Sequence, residues 1–205
     1  MELTFWYDPG CPWCWITSRW IVEVSAERDL AVAWRSFSLK VKNAGNDLPE
    51  KIARSTEATH GALRVTEAVR AAYGEERVAP LYTELGRRIH HDGDGELKTL
   101  TDALEVVGVD PAFAERATDD SLDAPILASM DEAFRASGED VGTPIIRIGP
   151  EGRPGFFGPV LSPAPTGAAA LALFDGLVAV ADAGADGFFE LKRERRVGPI
   201  FGPRP

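Results

Sequence analysis

Residues 4–20 read TFWYDPGCPWCWITSRW, and the order of residue types in this stretch decides the fold. Leu3 to Tyr7 is a short apolar and aromatic run, the pattern of a buried strand. From Pro12 to about Arg28 the period turns helical, with Ile16, Trp20 and Val24 four apart on one face and Arg19, Glu23 and Glu27 elsewhere. Cys11 and Cys14, the only cysteines in the chain, stand at this junction with Pro12 and Trp13 between them. Such a pair can be a redox couple, half of a metal site, or two small buried residues.

Pro12 suits an early helical position, because its missing N–H would be unpaired there anyway. Cys11 is thereby set at the start of the helix, where free N–H groups and the positive end of the dipole favour an anion. The thiolate is the nucleophile of thiol–disulfide exchange, so this placement lowers the pKa of one cysteine selectively. Cys14 lies one turn further in, where access is poorer. In that reading Cys11 attacks and Cys14 resolves the mixed disulfide. Trp13 brings no positive charge, which implies a mild pKa depression at Cys11, and it offers a flat apolar rim to a substrate.

Outward from the motif, residues 31–39, AVAWRSFSL, alternate and predict a second strand. Strand, helix and strand in succession make a βαβ unit with a parallel pair. NAGND (43–47) is a turn, and Asp47 with Glu50 has the spacing of a capping box. From there to Gly138 the signals are all helical. Val78, Leu81, Tyr82, Leu85 and Ile89 share one face. HDGDG (91–95) breaks that helix, and Leu97, Leu100 and Leu104 belong to the next. Asp110-Pro111 opens a short helix. Ser121 starts a last one, carrying Ile126, Met130 and Phe134, with Gly138 as its C-cap. TPIIRIG (143–149) and FFG (156–158), joined by the turn EGRPG, predict a hairpin. Residues 162–182 read as an alanine-rich helix with Ser162 near its cap, and FFELKRERR (188–196) as a basic C-terminal segment.

The plan is α/β: residues 1–45 as βαβ, residues 46–138 as an inserted helical subdomain, and residues 139–205 as ββα with a tail. The apolar faces of the insert need a partner surface, which predicts that it packs over the edge where the βα loops emerge. Pro144 precedes a strand, a poor place for an ordinary strand residue. A cis Thr143–Pro144 bond would make the turn required there, and would present the Thr143 backbone to a docked substrate.

The 205 residues carry a formal net charge of -10 and 44% hydrophobic residues, enough for a sizeable core. The acidic balance argues against a general nucleic-acid or membrane-surface binder, and no apolar run reaches the ~20 residues of a membrane helix. The N-terminus lacks the basic n-region of a signal peptide and runs directly into a strand. A cytoplasmic location follows as the expectation, and there a lone cysteine pair is more often catalytic or metal-binding than structural.

Strand, CxxC at a helix start, helix, strand, helical insert, Thr-Pro, hairpin and helix is an order that resembles the thioredoxin fold as elaborated in the DsbA family. FWYDPGCPWCWITSRW, DLPE, LYTELGRRIH, GEDVGTP, FFGPVLS and FFELKR resemble, in order, the actinobacterial mycothiol-dependent nitroreductase group. The resemblance implies a cytosolic oxidoreductase, possible as a homodimer, with no tightly bound cofactor. Mycothiol or a similar low-molecular-weight thiol reduces it, and it reduces disulfides or nitro-aromatic compounds. Cys11 would be the nucleophile and Cys14 the resolving thiol. Thr143 and Pro144 would form the loop facing them, with Pro12 and Trp13 lining the acceptor site. Asn43 and His90 resemble pocket residues of the group. A turn asparagine and a histidine favoured by the negative end of a helix dipole are the plainer readings of those two. One departure matters: oxidising DsbA proteins carry an acidic residue six before the first cysteine, and here that residue is Phe5. The proton at the cysteine pair must then be handled otherwise, with Asp8 or a water as candidates.

Two other readings stay open at this point. Proteins of the glutathione transferase kappa and chromene-carboxylate isomerase type share the topology but usually keep one reactive Ser or Cys, so Cys14 discriminates. A binding module with zinc or copper on the CxxC would need further ligands, and the other soft ligands, His60, His90 and His91, all lie in the helical block.

Overall fold

A computed structural model describes residues 1–183, 190 and 197–205. Four strands form one sheet in the order β2-β1-β3-β4. The strands are β1 (Glu2–Tyr7), β2 (Ala31–Ser36), β3 (Ile145–Ile148) and β4 (Phe156–Phe157). β1 and β2 run parallel, with Phe5 opposite Trp34, and β3 is antiparallel to both β1 and β4. The parallel pair is joined by α1 (Pro12–Arg28). The remaining helices are α2 (Leu39–Lys42), α3 (Glu50–Tyr73), α4 (Val78–His90), α5 (Leu100–Val106), α6 (Asp123–Ser137) and α7 (Gly167–Ala183). The mixed sheet with a helical block between β2 and β3 is the DsbA-like thioredoxin fold.

α1 is buried on more than one face. Ile16, Trp20 and Val24 are buried as the helical period requires, and so are Cys14, Trp15, Thr17 and Ile21. The reason is that α1 lies between the sheet, α7 and α4. On one side its Trp20 donates from Nε1 to the Ala170 carbonyl of α7 at 3.0 Å and faces Phe174. On the other, Gly86 of α4 lies so close to the Trp15 ring that a Cβ there would sit 2.2 Å from Trp15 Cε3. The absence of a side chain at residue 86 is what lets α4 reach α1.

The helical block has a core of its own, built from Val65, Val69, Leu81, Leu85, Leu104 and their neighbours. Its last helix, α6, packs on β2, β3 and β4 and contributes Ile126 and Met130 to the main core.

Five local expectations change. Leu97 lies before α5 rather than in it, with a left-handed backbone (φ 51), because the helix starts only at Leu100. The second strand ends at Ser36 rather than Leu39, because Ser38 caps α2 by accepting from the Val41 N–H. Asp47 and Glu50 form no capping box; Pro49 holds the cap position of α3 with no side-chain hydrogen bond. The helix expected from Ser121 starts at Asp123, after a 3-10 turn over Asp120–Leu122. The alanine-rich helix starts at Gly167, and the Ser162 hydroxyl instead binds the tail, donating to the Gly198 carbonyl and accepting from the Ile200 N–H. The basic segment 188–196 lies outside the described residues except for Glu190.

Candidate active site

The end of β1 and the start of α1 deliver the cysteine pair. β1 buries Leu3, Phe5, Trp6 and Tyr7, and its register with β2 runs as far as Tyr7 opposite Ser36. The turn that follows is closed by the Cys11 N–H donating to the Asp8 carbonyl at 3.0 Å. Cys11 then occupies the N-cap of α1 with extended backbone (φ -76, ψ 112) and Pro12 at the first helical position. Its side chain caps nothing, so the sulfur is left for chemistry at the positive end of the helix.

Both cysteines are thiols, and both are buried, Cys11 at 5% exposure and Cys14 at 0%. The Cys14 thiol hydrogen-bonds the Cys11 sulfur and holds the Cys11 pKa below the usual thiol range, against the opposing effect of burial. Cys14 moves the other way: burial, the hydrogen bond it gives to Cys11 and the charge on Cys11 together raise it well above that range. The pair is therefore split into one thiolate-prone sulfur and one held as a thiol, the asymmetry that a nucleophile and a resolving partner need.

Thr143 and Pro144 face the pair from the loop before β3. Their peptide is cis, and the Cys11 thiol lies 3.7 Å from the Thr143 carbonyl. A cleft of about 370 Å³ opens beside Cys11. Pro12, Trp13 and Thr143 line it together with Asp8 and Phe157. Its far wall comes from α3, where Ile52, Ser55, Thr56 and Thr59 follow one another at three- and four-residue spacing on one face. The helical block thus lies over the βα loop, as its unpaired apolar faces required. Neither Thr59 nor Phe157 stands out in the sequence. The 52/55/56/59 stripe was the available signal, but its small hydroxyl residues read as an ordinary polar helix face.

Asn43 and His90 stand apart from this cleft. The Asn43 side chain donates to the Leu39 carbonyl at 2.8 Å, closing α2 on itself. His90 sits beneath the motif: Nε2 donates to the Pro9 carbonyl at 2.9 Å, and the ring stacks on Trp15. Burial lowers its pKa to about 4, so it is neutral near pH 7. His91 accepts from the Trp15 Nε1–H at 3.0 Å. His60 is held between Ser38 and Asp123. Among the described residues no three His, Cys, Asp or Glu side chains gather as metal ligands.

Among the described residues, Asp8 is the one carboxylate that lines the cleft. It is fully buried, with Oδ1 accepting from the Gly10 N–H at 2.8 Å and Oδ2 from the Leu39 N–H at 2.7 Å. Burial raises its pKa from 3.8 to about 6, with these hydrogen bonds and one from Thr59 opposing the rise.

Residues 10–193 match the Rv2466c-like family, described as mycothiol-dependent nitroreductase Rv2466c. The chain belongs to this family. It is a thiol–disulfide oxidoreductase. A curated relative, the uncharacterized protein Rv2286c of Mycobacterium tuberculosis, is 30% identical over 93% of this chain and 81% of its own. Among solved structures, the cytosolic disulfide reductase DsbM from Pseudomonas aeruginosa matches with a TM-score of 0.59 at 18% identity, over 88% of this chain and all of that one. DsbM with GSH gives a TM-score of 0.57 at 18% identity, covering 87% and 100%. A thioredoxin-like oxidoreductase from Silicibacter pomeroyi gives 0.53 at 19%, covering 88% and 86%. These structural likenesses concern the fold.

Proposed function

We propose that a low-molecular-weight thiol, mycothiol, reduces the Cys11–Cys14 disulfide, and that the dithiol passes two electrons to a disulfide or nitro-aromatic acceptor in the cleft. The observation that carries this reading is the split pair: an N-cap Cys11 with a lowered pKa, backed by a buried Cys14 with a raised one, under the Thr143 carbonyl. The family description supports mycothiol. Trp13, Ile52 and Phe157 give the cleft apolar walls that suit a flat acceptor. A soluble cytoplasmic homodimer is part of the same proposal.

The reaction runs in two halves. The Cys11 thiolate attacks one acceptor sulfur, and the other half leaves with its electron pair. Cys14 then attacks Cys11 Sγ, the protein disulfide closes, and the second half leaves. Two mycothiol molecules reverse the sequence and are released joined as their disulfide. For a nitro acceptor the same two electrons, with two protons, yield the nitroso compound and water.

The test is acceptor consumption without oxygen, with mycothiol or glutathione as sole reductant. Turnover with mycothiol that vanishes in Cys11→Ser supports the reading. Full turnover in Cys11→Ser would sink it. Equal rates with glutathione would remove mycothiol as the specific reductant.

A further inference from the structure

The tail, residues 197–205, packs beneath the cysteine motif. We propose that Phe201 is a positioning residue for Cys11: the tail holds its ring over His90 and His91, shields the hydrogen bond from His90 to the Pro9 carbonyl, and so keeps the turn before Cys11 set at the start of α1. The inference rests on Cys11 being the reactive thiol of the reading above. It concerns a segment beyond residues 10–193, the stretch that matches the family.

Residues 197–205 form neither helix nor strand, so contacts set their course. Two anchors bracket Phe201. On one side the Ser162 hydroxyl donates to the Gly198 carbonyl at 2.7 Å and accepts from the Ile200 N–H at 2.9 Å. On the other, the Arg204 guanidinium donates to both Asp92 carboxylate oxygens at 3.0 Å, just past the end of α4. An exposed ion pair alone contributes little, but the two anchors together leave a short span whose position is fixed. Within it the half-buried Phe201 ring lies 5.4 Å from the His90 ring and 5.7 Å from the His91 ring, centroid to centroid, within the range of packed aromatic pairs.

Those two imidazoles tie α4 to both ends of the motif. His90 Nε2 donates to the Pro9 carbonyl, two residues before Cys11, at 2.9 Å, and its ring stacks on Trp15. His91 accepts from the Nε1–H of Trp15, the residue after Cys14, at 3.0 Å. The turn that delivers Cys11 is thus held from two sides, by Leu39 and Thr59 on Asp8 and by His90 on Pro9. Burial keeps His90 neutral near pH 7, and the Phe201 ring supplies part of that cover. Without the ring, water reaches the imidazole and competes for the Pro9 carbonyl, and a hydrogen bond open to water holds less firmly than a shielded one. The turn then loosens, and a Cys11 thiolate loses part of its stabilisation at the helix end. The reduced state carries that thiolate, so the couple shifts toward the disulfide.

Alkylation of the reduced protein by iodoacetamide, followed by mass at Cys11 as a function of pH, reads the thiolate directly. The midpoint of the profile follows the thiolate, and its plateau follows access. In Phe201→Ala the thiolate is expected to bind its proton about fivefold more tightly, the worth of one charge at a helix end, so the midpoint moves to higher pH. In a graded glutathione buffer the couple should shift toward disulfide by up to the same factor, about 20 mV at about 30 mV per tenfold. Phe201→Leu keeps an apolar cover and is expected to stay near the wild type in both readouts. A lower Tm in Phe201→Ala with midpoint and potential unmoved would make the tail a plain surface cover and overturn the assignment. A Leu variant shifted as far as the Ala variant would overturn it too. If Phe201→Ala does not fold, Arg204→Ala, which frees the far end of the tail, decides in its place, and an unmoved midpoint there overturns the assignment. The alkylation profile needs no disulfide: a wild type that never closes the pair would remove the dithiol reading, while the midpoint would still decide the role of Phe201.

Discussion

Replacing Gly86 by alanine sets two well-characterised effects against each other. Gly86 lies inside α4, where Gly→Ala alone stabilises a helix by about 1 kcal/mol. The structure reverses that sign. The new methyl would sit 2.2 Å from Trp15 Cε3 and 2.4 Å from Cζ3, whereas ordinary contact begins near 3.4 Å. The ring or the helix must therefore move by more than about 1 Å. The ring has little room. Arg19 covers it at 4.3 Å, His90 stacks on it with centroids 5.8 Å apart, and its Nε1 is bonded to His91 at 3.0 Å. Overpacking of this kind costs roughly 1–3 kcal/mol, and losing the Trp15–His91 bond adds about 1 kcal/mol. The net expectation is a destabilisation of about 2 kcal/mol, or a Tm lower by about 4–8 °C in a chain of this size. Urea denaturation followed by circular dichroism measures it. A variant as stable as the wild type, or more stable, would refute the placement of α4 against α1.

Three more outcomes follow from the site and its frame. Phe174→Ala empties a fully buried aromatic position against Trp20 and should cost about 3–5 kcal/mol in denaturant unfolding; a loss under about 1 kcal/mol would contradict the packing of α7. Asp8 titrates at about 6 when folded against 3.8 ordinarily, so the folded value is the higher one. Its contribution is then complete below about pH 4 and lost as pH rises through 6, by about 3 kcal/mol at most. The stability of Asp8→Asn relative to the wild type should accordingly grow between pH 4 and pH 7, and parallel profiles would count against a buried Asp8. Cys14→Ser should stop after one half-reaction with a mixed disulfide on Cys11, visible by mass; sustained turnover would favour the single-thiol isomerase reading.

The parts of the site that follow from local rules were legible in the sequence. Pro12 marked the helix start, and its spacing to Cys11 and Cys14 set which sulfur is exposed to the dipole. Pro144 before an apolar strand marked the facing loop, and the 3.6-residue stripes marked the helical block. What could not be read locally depends on partners far along the chain. Asp8 stood out as a candidate for handling the proton at the pair, but the way it is held did not, because nothing in Asp-Pro-Gly announces donors on Leu39 and Thr59. Its one local signal was an acid directly after the aromatic run Phe5, Trp6 and Tyr7. His90 was legible as a helix-terminal histidine, but its neutral state under the motif arises from Pro9 and Trp15 closing over it. α2 is a four-residue helix, too short to show a period, and its cap residue Ser38 sat inside what reads as an alternating strand.

The central claim is that Cys11 and Cys14 form a working redox couple, and a redox titration read by tryptophan fluorescence tests it most directly. Trp13 and Trp15 flank the thiols and report the change. The account expects one reversible two-electron transition, with about 30 mV for each tenfold change in ratio, and both cysteines protected from alkylation on the oxidised side. Two cysteines that stay open to alkylation at every potential would mean that the pair never closes, and the dithiol mechanism would fall.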